Sequence, residues 1–151
     1  MIKTRRVRSF LPDTLGAART GQKRIDVHYS KLKISADATS KLRYLRQRTG
    51  LTPNLLCRIA VMLSLEEGPL GNVPPPDEDG SEFNAYTLTG EYGALLAALL
   101  RWVEEGPSPT EPLDNAALLT RFRGHIHRGV GTLSVRAKSP ADVLRLVPAA
   151  A

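Results

Sequence analysis

A mainly α-helical chain, with one short strand leading into two helices and further helices behind them, is the fold this sequence predicts. Three observations predict it. Residues Tyr29 to Ile34 alternate, with Ser30, Leu32 and Ile34 on one face and Tyr29, Lys31 and Lys33 on the other. Two stretches of helical spacing follow directly, divided only by the breaker run Thr49-Gly50-Leu51-Thr52-Pro53. Beyond residue 89, apolar residues again recur at helical intervals, among them Leu118, Phe122 and Ile126.

Each element has a local reason. Residues 1–24 show no sustained periodicity and are broken by Pro12, Gly16 and Gly21, so they read as a basic, flexible or extended arm. Residues 25–151 then read as a single domain. The six-residue strand is unstable alone, and no obvious partner follows it in the chain, so pairing across a two-fold axis is expected. Ser35 is placed to cap the first helix, with Asp37 in its first turn. Ala38, Leu42 and Leu45 form one narrow buried stripe, flanked by Lys41, Arg43, Arg46 and Arg48. Gly50 ends this helix in a left-handed conformation. Thr52 caps the second helix, Pro53 takes its first position, and Gly68-Pro69 stops it. Its broad apolar surface (Leu55, Leu56, Ile59, Ala60, Met62, Leu63) predicts burial on two sides, as in an intertwined dimer core. A strand followed by two helices in this order outlines a ribbon-helix-helix-like core. Behind it come a proline-rich acidic loop (69–80), a helix from about Thr89 to Glu105, a helix from Asp114 to Arg128 and a short last helix after Ser139-Pro140.

Charge is distributed unevenly. Residues 1–48 hold 13 Lys/Arg against three acids, residues 49–115 two against eleven, and residues 116–151 six against one. A basic front half is the footprint of a phosphate-backbone binder, and the acidic middle is excluded as the DNA face. No window approaches the roughly 18 uninterrupted apolar residues of a membrane span. No apolar segment follows the basic N-terminus to make a secretory signal, and one cysteine fits a reducing cytoplasm. A cytoplasmic protein without a membrane partner is expected.

No catalytic constellation stands out, so no enzyme, cofactor or metal is expected. His125 and His127 are two residues apart on a helix, about 200° around it, and cannot share a metal. Cys57 sits among apolar residues, where thiols are ordinarily inert. The DEDG run lacks the spacing and closing Glu of a calcium loop.

The runs RTGLTPNLLCRIAVMLSLEEGP, DEDGSEFNAYTLTGEYGALLAALLRW and RFRGHIHRGV resemble the DndE family of DNA phosphorothioation proteins, and the likeness spans Tyr29 to Leu146. The resemblance implies a small, mostly helical protein related to ribbon-helix-helix folds. It implies a homo-oligomer, a tetramer, that favours nicked double-stranded DNA through a lysine-rich surface. It also implies partners: a cysteine desulfurase, a reductase-like iron–sulfur subunit and an ATPase. Two departures stand out. The basic arm extends beyond the family core, and this chain uses Arg43, Arg46 and Arg48 where lysines are implied. The expected reading is a non-catalytic DNA-binding subunit, oligomeric through the strand and the second helix. Backbone contacts are expected from Lys31, Lys33, Lys41, Arg43, Arg46 and Arg48, from the N–H groups near Thr52 and Asn54, and from Arg5, Arg6 and Arg8. The alternatives are a ribbon-helix-helix transcriptional regulator and an assembly subunit that mainly binds partner proteins.

Overall fold

Ser35 sets the start of the first helix as the sequence predicts. In the computed structural model, which describes residues 27–147, strand β1 (Lys31–Lys33) leads within two residues into helix α1 (Ala36–Thr49). Ser35 is extended (φ −69°, ψ 156°), and its Oγ accepts the Ala38 N–H at 3.1 Å. At the other end Gly50 takes φ +72° and donates its N–H to the Arg46 carbonyl, a left-handed cap that a Cβ would penalise. Helix α2 (Pro53–Glu66) follows one tight turn later. Thr52 holds the extended cap geometry there, but its hydroxyl makes no capping bond.

The strand departs from expectation. It pairs inside the chain, antiparallel to β2 (Glu82–Asn84), with Leu32 opposite Phe83 and Lys33 opposite Glu82. The expected pairing across a two-fold axis is therefore overturned. The physical reason is the 69–80 loop, which folds back: the Ile34 N–H donates to the Ser81 carbonyl and the Gly80 N–H to the Ile34 carbonyl. Leu32 and Ile34 are buried beneath this ribbon, so its apolar face is satisfied without a second copy.

Downstream, the helix expected from Thr89 is split. Asn84 caps a single turn, α3 (Ala85–Leu88), by accepting the Thr87 N–H at 2.9 Å. A 3₁₀ turn (Gly90–Tyr92) follows, and α4 runs only from Gly93 to Glu105. Gly90 at φ +52° breaks the register between them. The next helix is longer than expected. Asp114 caps α5 (Asn115–Arg136) through the Ala117 N–H at 2.7 Å, and the helix continues past Arg128 for two more turns. Ser139 then caps the short α6 (Pro140–Leu144), as expected.

Helix α5 is the central strut. It runs antiparallel to α2, because Ser64 meets His125 while Ala60 meets Gly129 further along. At Gly129 the two backbones touch: any Cβ there would collide with the Ala60 carbonyl. Continuing the helix through this glycine costs about 1 kcal/mol relative to alanine, and the close packing offsets it. Leu56, Ala60, Leu118, Phe122, Ile126 and Val130 make the interior of this contact. The two-sided burial expected for α2 is thus largely supplied by the chain's own α5, α1 and α4, rather than by an intertwined partner. The fold is mainly α, with the expected strand and two helices at its front. Among the described residues, no helix is long and apolar enough to cross a membrane.

Candidate nucleic-acid interface

The strand and α1 present their cations outward. Lys31 and Lys33 are exposed on either side of the buried Leu32. Lys31 Nζ lies 2.9 Å from Glu82 Oε1, which raises the ammonium pKa and lowers that of the carboxyl. Lys33 has no carboxylate within ion-pair distance among the described residues. On α1, Lys41 pairs with Asp37 at 2.6 Å, one turn back. Arg43, Arg46 and Arg48 are exposed and have no acidic partner among the described residues. At about 100° per residue, Arg43 and Arg46 share one flank of the helix, and Lys41, Tyr44 and Arg48 share the other. The Arg48 guanidinium lies 4.5 Å from the Tyr44 ring centroid, a cation–π contact that holds the side chain along the helix. The four cations therefore bracket the exposed face, while Leu42 and Leu45 occupy the buried one.

At the start of α2, Thr52 is exposed with its hydroxyl uncommitted, and Asn54 turns its Oδ1 inward to a buried position without a partner. The Asn54 carbonyl oxygen is thus turned away from solvent, and the Thr52 hydroxyl and the backbone N–H groups remain at that end. Arg5, Arg6 and Arg8 lie outside the described residues. Two cations were missed by reading local pattern alone. Arg136 is the last residue of α5 and Lys138 follows it, at the same end of the molecule as Arg46 and Arg48, because α2 is antiparallel to α5 and is joined to α1 by a tight turn. The excess of bases over acids after residue 116 was the only signal for them.

The other arginines of α5 are committed elsewhere. Arg121 donates to the Gly71 carbonyl at 2.7 Å and lies 3.4 Å from Glu104. Arg123 donates to the Lys33 carbonyl at 2.8 Å and pairs with Glu78 at 3.0 Å. Arg128 donates to Ser64 Oγ at 2.8 Å and also holds the Ser64 and Gly68 carbonyls. These three tie the ribbon, the loop and the end of α2 to α5. The acidic loop is likewise an anchor: Asp77 Oδ1 accepts the Ala36 and Asp79 N–H groups, which hold its carboxyl below the ordinary range. No group of three potential metal ligands forms among the described residues.

The two histidines point apart, as their spacing requires. His127 Nδ1 lies 2.7 Å from Ser35 Oγ. His125 is fully buried between Ser64 Oγ (2.9 Å to Nδ1) and Glu104 Oε1 (2.8 Å to Nε2). Ser, His and Glu in this order mimic a hydrolase relay. Here Ser64 is fully buried and its oxygen already accepts from Arg128, so no substrate carbonyl can reach it. Burial lowers the His125 pKa, with Glu104 opposing, so the ring is neutral and bridges two helices. Burial also pushes the Cys57 thiol up to about 12, which leaves it without thiolate character.

Two concave surfaces flank the basic face. One lies between α5 and the proline run of the loop, and the other is an apolar groove where α2, Tyr92, Leu95 and α6 meet.

Residues 31–141 match the family described as DNA sulphur modification protein DndE. The chain belongs to the DndE family. Its fold is similar to the crystal structure of DndE from Escherichia coli B7A, a protein involved in DNA phosphorothioation modification. That likeness is 24% in sequence identity, with a TM-score of 0.59, over 70% of this chain and 98% of the other. It is also similar to a DndE G21/24K mutant involved in DNA phosphorothioation, at 22% identity and a TM-score of 0.54, over 70% of this chain and 97% of that one. No curated protein sequence matches this DndE-family chain.

Proposed function

We propose that this protein is a non-catalytic subunit of the DNA phosphorothioation machinery that holds duplex DNA by its phosphate backbone. One observation carries the reading: Lys33, Arg43, Arg46 and Arg48 are exposed on adjacent elements and have no acidic partner among the described residues. Lys31 and Lys41 add two more, since exposed ion pairs are weak and phosphate can displace Glu82 and Asp37. Arginine forks phosphate oxygens and lysine acts as a point charge, so a mixed surface serves. The backbone N–H groups near Thr52 and Asn54, and Arg136 and Lys138, extend it. Contacts of this kind position a protein without reading sequence. A nicked duplex is favoured because a broken strand bends at lower energetic cost. The proposed partners are the cysteine desulfurase, the iron–sulfur reductase-like subunit and the ATPase of the same machinery.

Self-association is proposed through α2 instead of the strand, whose pairing is satisfied within the chain. Met62 is 42% exposed at the centre of the apolar groove, with Arg58 and Glu66 four residues to either side. An antiparallel second copy across a two-fold at Met62 sets Arg58 of one protomer against Glu66 of the other. The same groove also favours a second reading, an assembly subunit for which DNA contact is incidental. Reversing Lys33, Arg43 and Arg46 to Glu separates the two, because the assembly reading expects the complex and its sulfur incorporation to survive.

The test is a fluorescence-anisotropy titration with one duplex, intact or singly nicked, at two salt concentrations. With about six phosphates neutralised, affinity is expected to fall by about 10³-fold between 50 and 200 mM salt. Tighter binding to the nicked form is expected. A flat salt response refutes the basic-surface reading, and a sequence motif recovered from a random duplex library favours a regulator.

A further inference from the structure

A cavity of about 450 Å³ opens between α5 and the loop that precedes β2, within the range of roughly 300–1,000 Å³ typical of small-molecule sites. Pro74, Pro75 and Pro76 line one wall, and the α5 face bearing Thr120, Arg121 and His127 lines the other. Leu70 closes the floor against Gly124, where a side chain would otherwise stand. The lining is largely apolar with a few convergent donors. His127 commits Nδ1 to Ser35, which leaves Nε2 without a partner among the described residues. Arg121 commits Nη1 to the Gly71 carbonyl and Nε to Glu104, which leaves Nη2 in the same position. An apolar wall facing a guanidinium N–H and an imidazole nitrogen suits a planar heterocycle that carries an anionic group.

Its position matters as much as its lining. His127 is bonded to Ser35, the cap of α1, and Arg123, one turn earlier on α5, is bonded to the Lys33 carbonyl. On the opposite wall, Asp77 follows Pro76 and accepts the Ala36 N–H. The cavity therefore adjoins the point where β1 passes into α1, beside the unpaired Lys33. We infer that it receives one unstacked nucleotide of the bound DNA, its base against the prolines and its phosphate toward His127 and Arg121. The acidic loop, excluded as a DNA face on its charge alone, meets that nucleotide only through its prolines, because Asp77 is bonded to the Ala36 N–H and Glu78 to Arg123. Apolar walls receive extruded bases in this way, and the cost of unstacking is least where a strand is already interrupted. The inference rests on the DNA-binding reading above and deepens it: the backbone cations hold the duplex, and the cavity senses the loosened nucleotide.

The experiment uses the full chain and a nicked duplex with 2-aminopurine at the nick, read at protein concentrations that saturate the anisotropy signal. A several-fold rise in 2-aminopurine fluorescence is expected, together with its loss in Ala117→Trp, which fills the cavity from α5. Saturated binding without a rise overturns the cavity proposal and leaves the DNA-binding reading standing. Absence of any DNA binding overturns both. Should Ala117→Trp fail to fold, dAMP is titrated into the wild-type protein and followed by NMR. Resonances of Thr120, Arg121 and His127 are expected to shift with dAMP and not with inorganic phosphate. Equal shifts with both, or none with millimolar dAMP, overturn the proposal.

Discussion

Helices α1 and α5 are both rich in arginine, and they use it in opposite ways. On α5, Arg121, Arg123 and Arg128 reach across to carbonyls and carboxylates of the ribbon, the loop and the end of α2. On α1, Arg43, Arg46 and Arg48 meet no acid among the described residues and face outward. The same side chain is a brace in one helix and an open contact in the other. What separates them is whether an acceptor stands within reach, which net charge does not report. Arg123 and Arg128 of α5 are expected to govern stability, and the α1 set to govern affinity.

The largest effect should come from the strut itself. Gly129→Ala forces the backbones of α5 and α2 apart at the Ala60 carbonyl, and a loss on the order of 3 kcal/mol or more is expected in chemical denaturation. A stability change below about 0.5 kcal/mol would show that the two helices slide freely, and the strut would then be no strut. Next, Arg128→Leu removes charge-assisted bonds to Ser64 and Gly68; the Gly68 carbonyl loses its donor, while Ser64 keeps its bonds to the Glu67 N–H and His125. We expect a loss of about 3 kcal/mol. DNA affinity measured well below the melting temperature should not move. If affinity falls and stability holds, the division between the two helices is wrong.

The converse variant combines Arg43→Ala, Arg46→Ala and Arg48→Ala. Stability should change by about 0.5 kcal/mol per site or less, while the slope of log affinity against log salt becomes shallower by about three. An unchanged slope would remove α1 from the interface. A smaller effect concerns pH. His125 is buried with its pKa lowered below 6.5, so below that value the unfolded chain takes up a proton that the folded one resists. Stability should therefore decline as pH falls from 7 toward 5. His125→Gln should be less stable overall yet lose that part of the slope, as thermal melts across this range can test. The smallest expected effect is that of Cys57→Ala. Its buried thiol should be dispensable for sulfur incorporation into DNA, and loss of incorporation in a folded variant would restore a carrier role.

Features set by neighbours in sequence were legible from the chain alone. Ser35, Gly50, Pro53 and Ser139 mark helix ends through bonds or torsions spanning a few residues, and each stands where it was expected. The stripe of Ala38, Leu42 and Leu45 was equally readable, because its period is that of the helix. Features set by distant partners were not. Strand β2 is three residues long, too short for alternation to register, so the sequence alone shows β1 no partner within the chain. Gly129 is a poor residue for a helix interior until Ala60 is placed against it. The brace of Ser64, His125 and Glu104 joins three helices far apart in sequence. For the interface, the positions of the α1 cations followed from helical periodicity. Which cations of the whole chain are spoken for did not follow, since Glu78 and Glu104 choose their arginines through the fold.

The pairing of β1 with β2 also sets a timetable for synthesis. Leu32 meets Phe83, about 50 residues later in the chain. At roughly 5–20 residues per second, the ribosome delivers that partner about 3–10 s after the strand itself. Helices α1 and α2 are complete by then, whereas the segment bearing Lys31 and Lys33 waits as an unpaired edge. Closure of so distant a contact is slow relative to helix formation. In pulse-labelled refolding, backbone amides of α1 should gain protection first and those of the basic strand last.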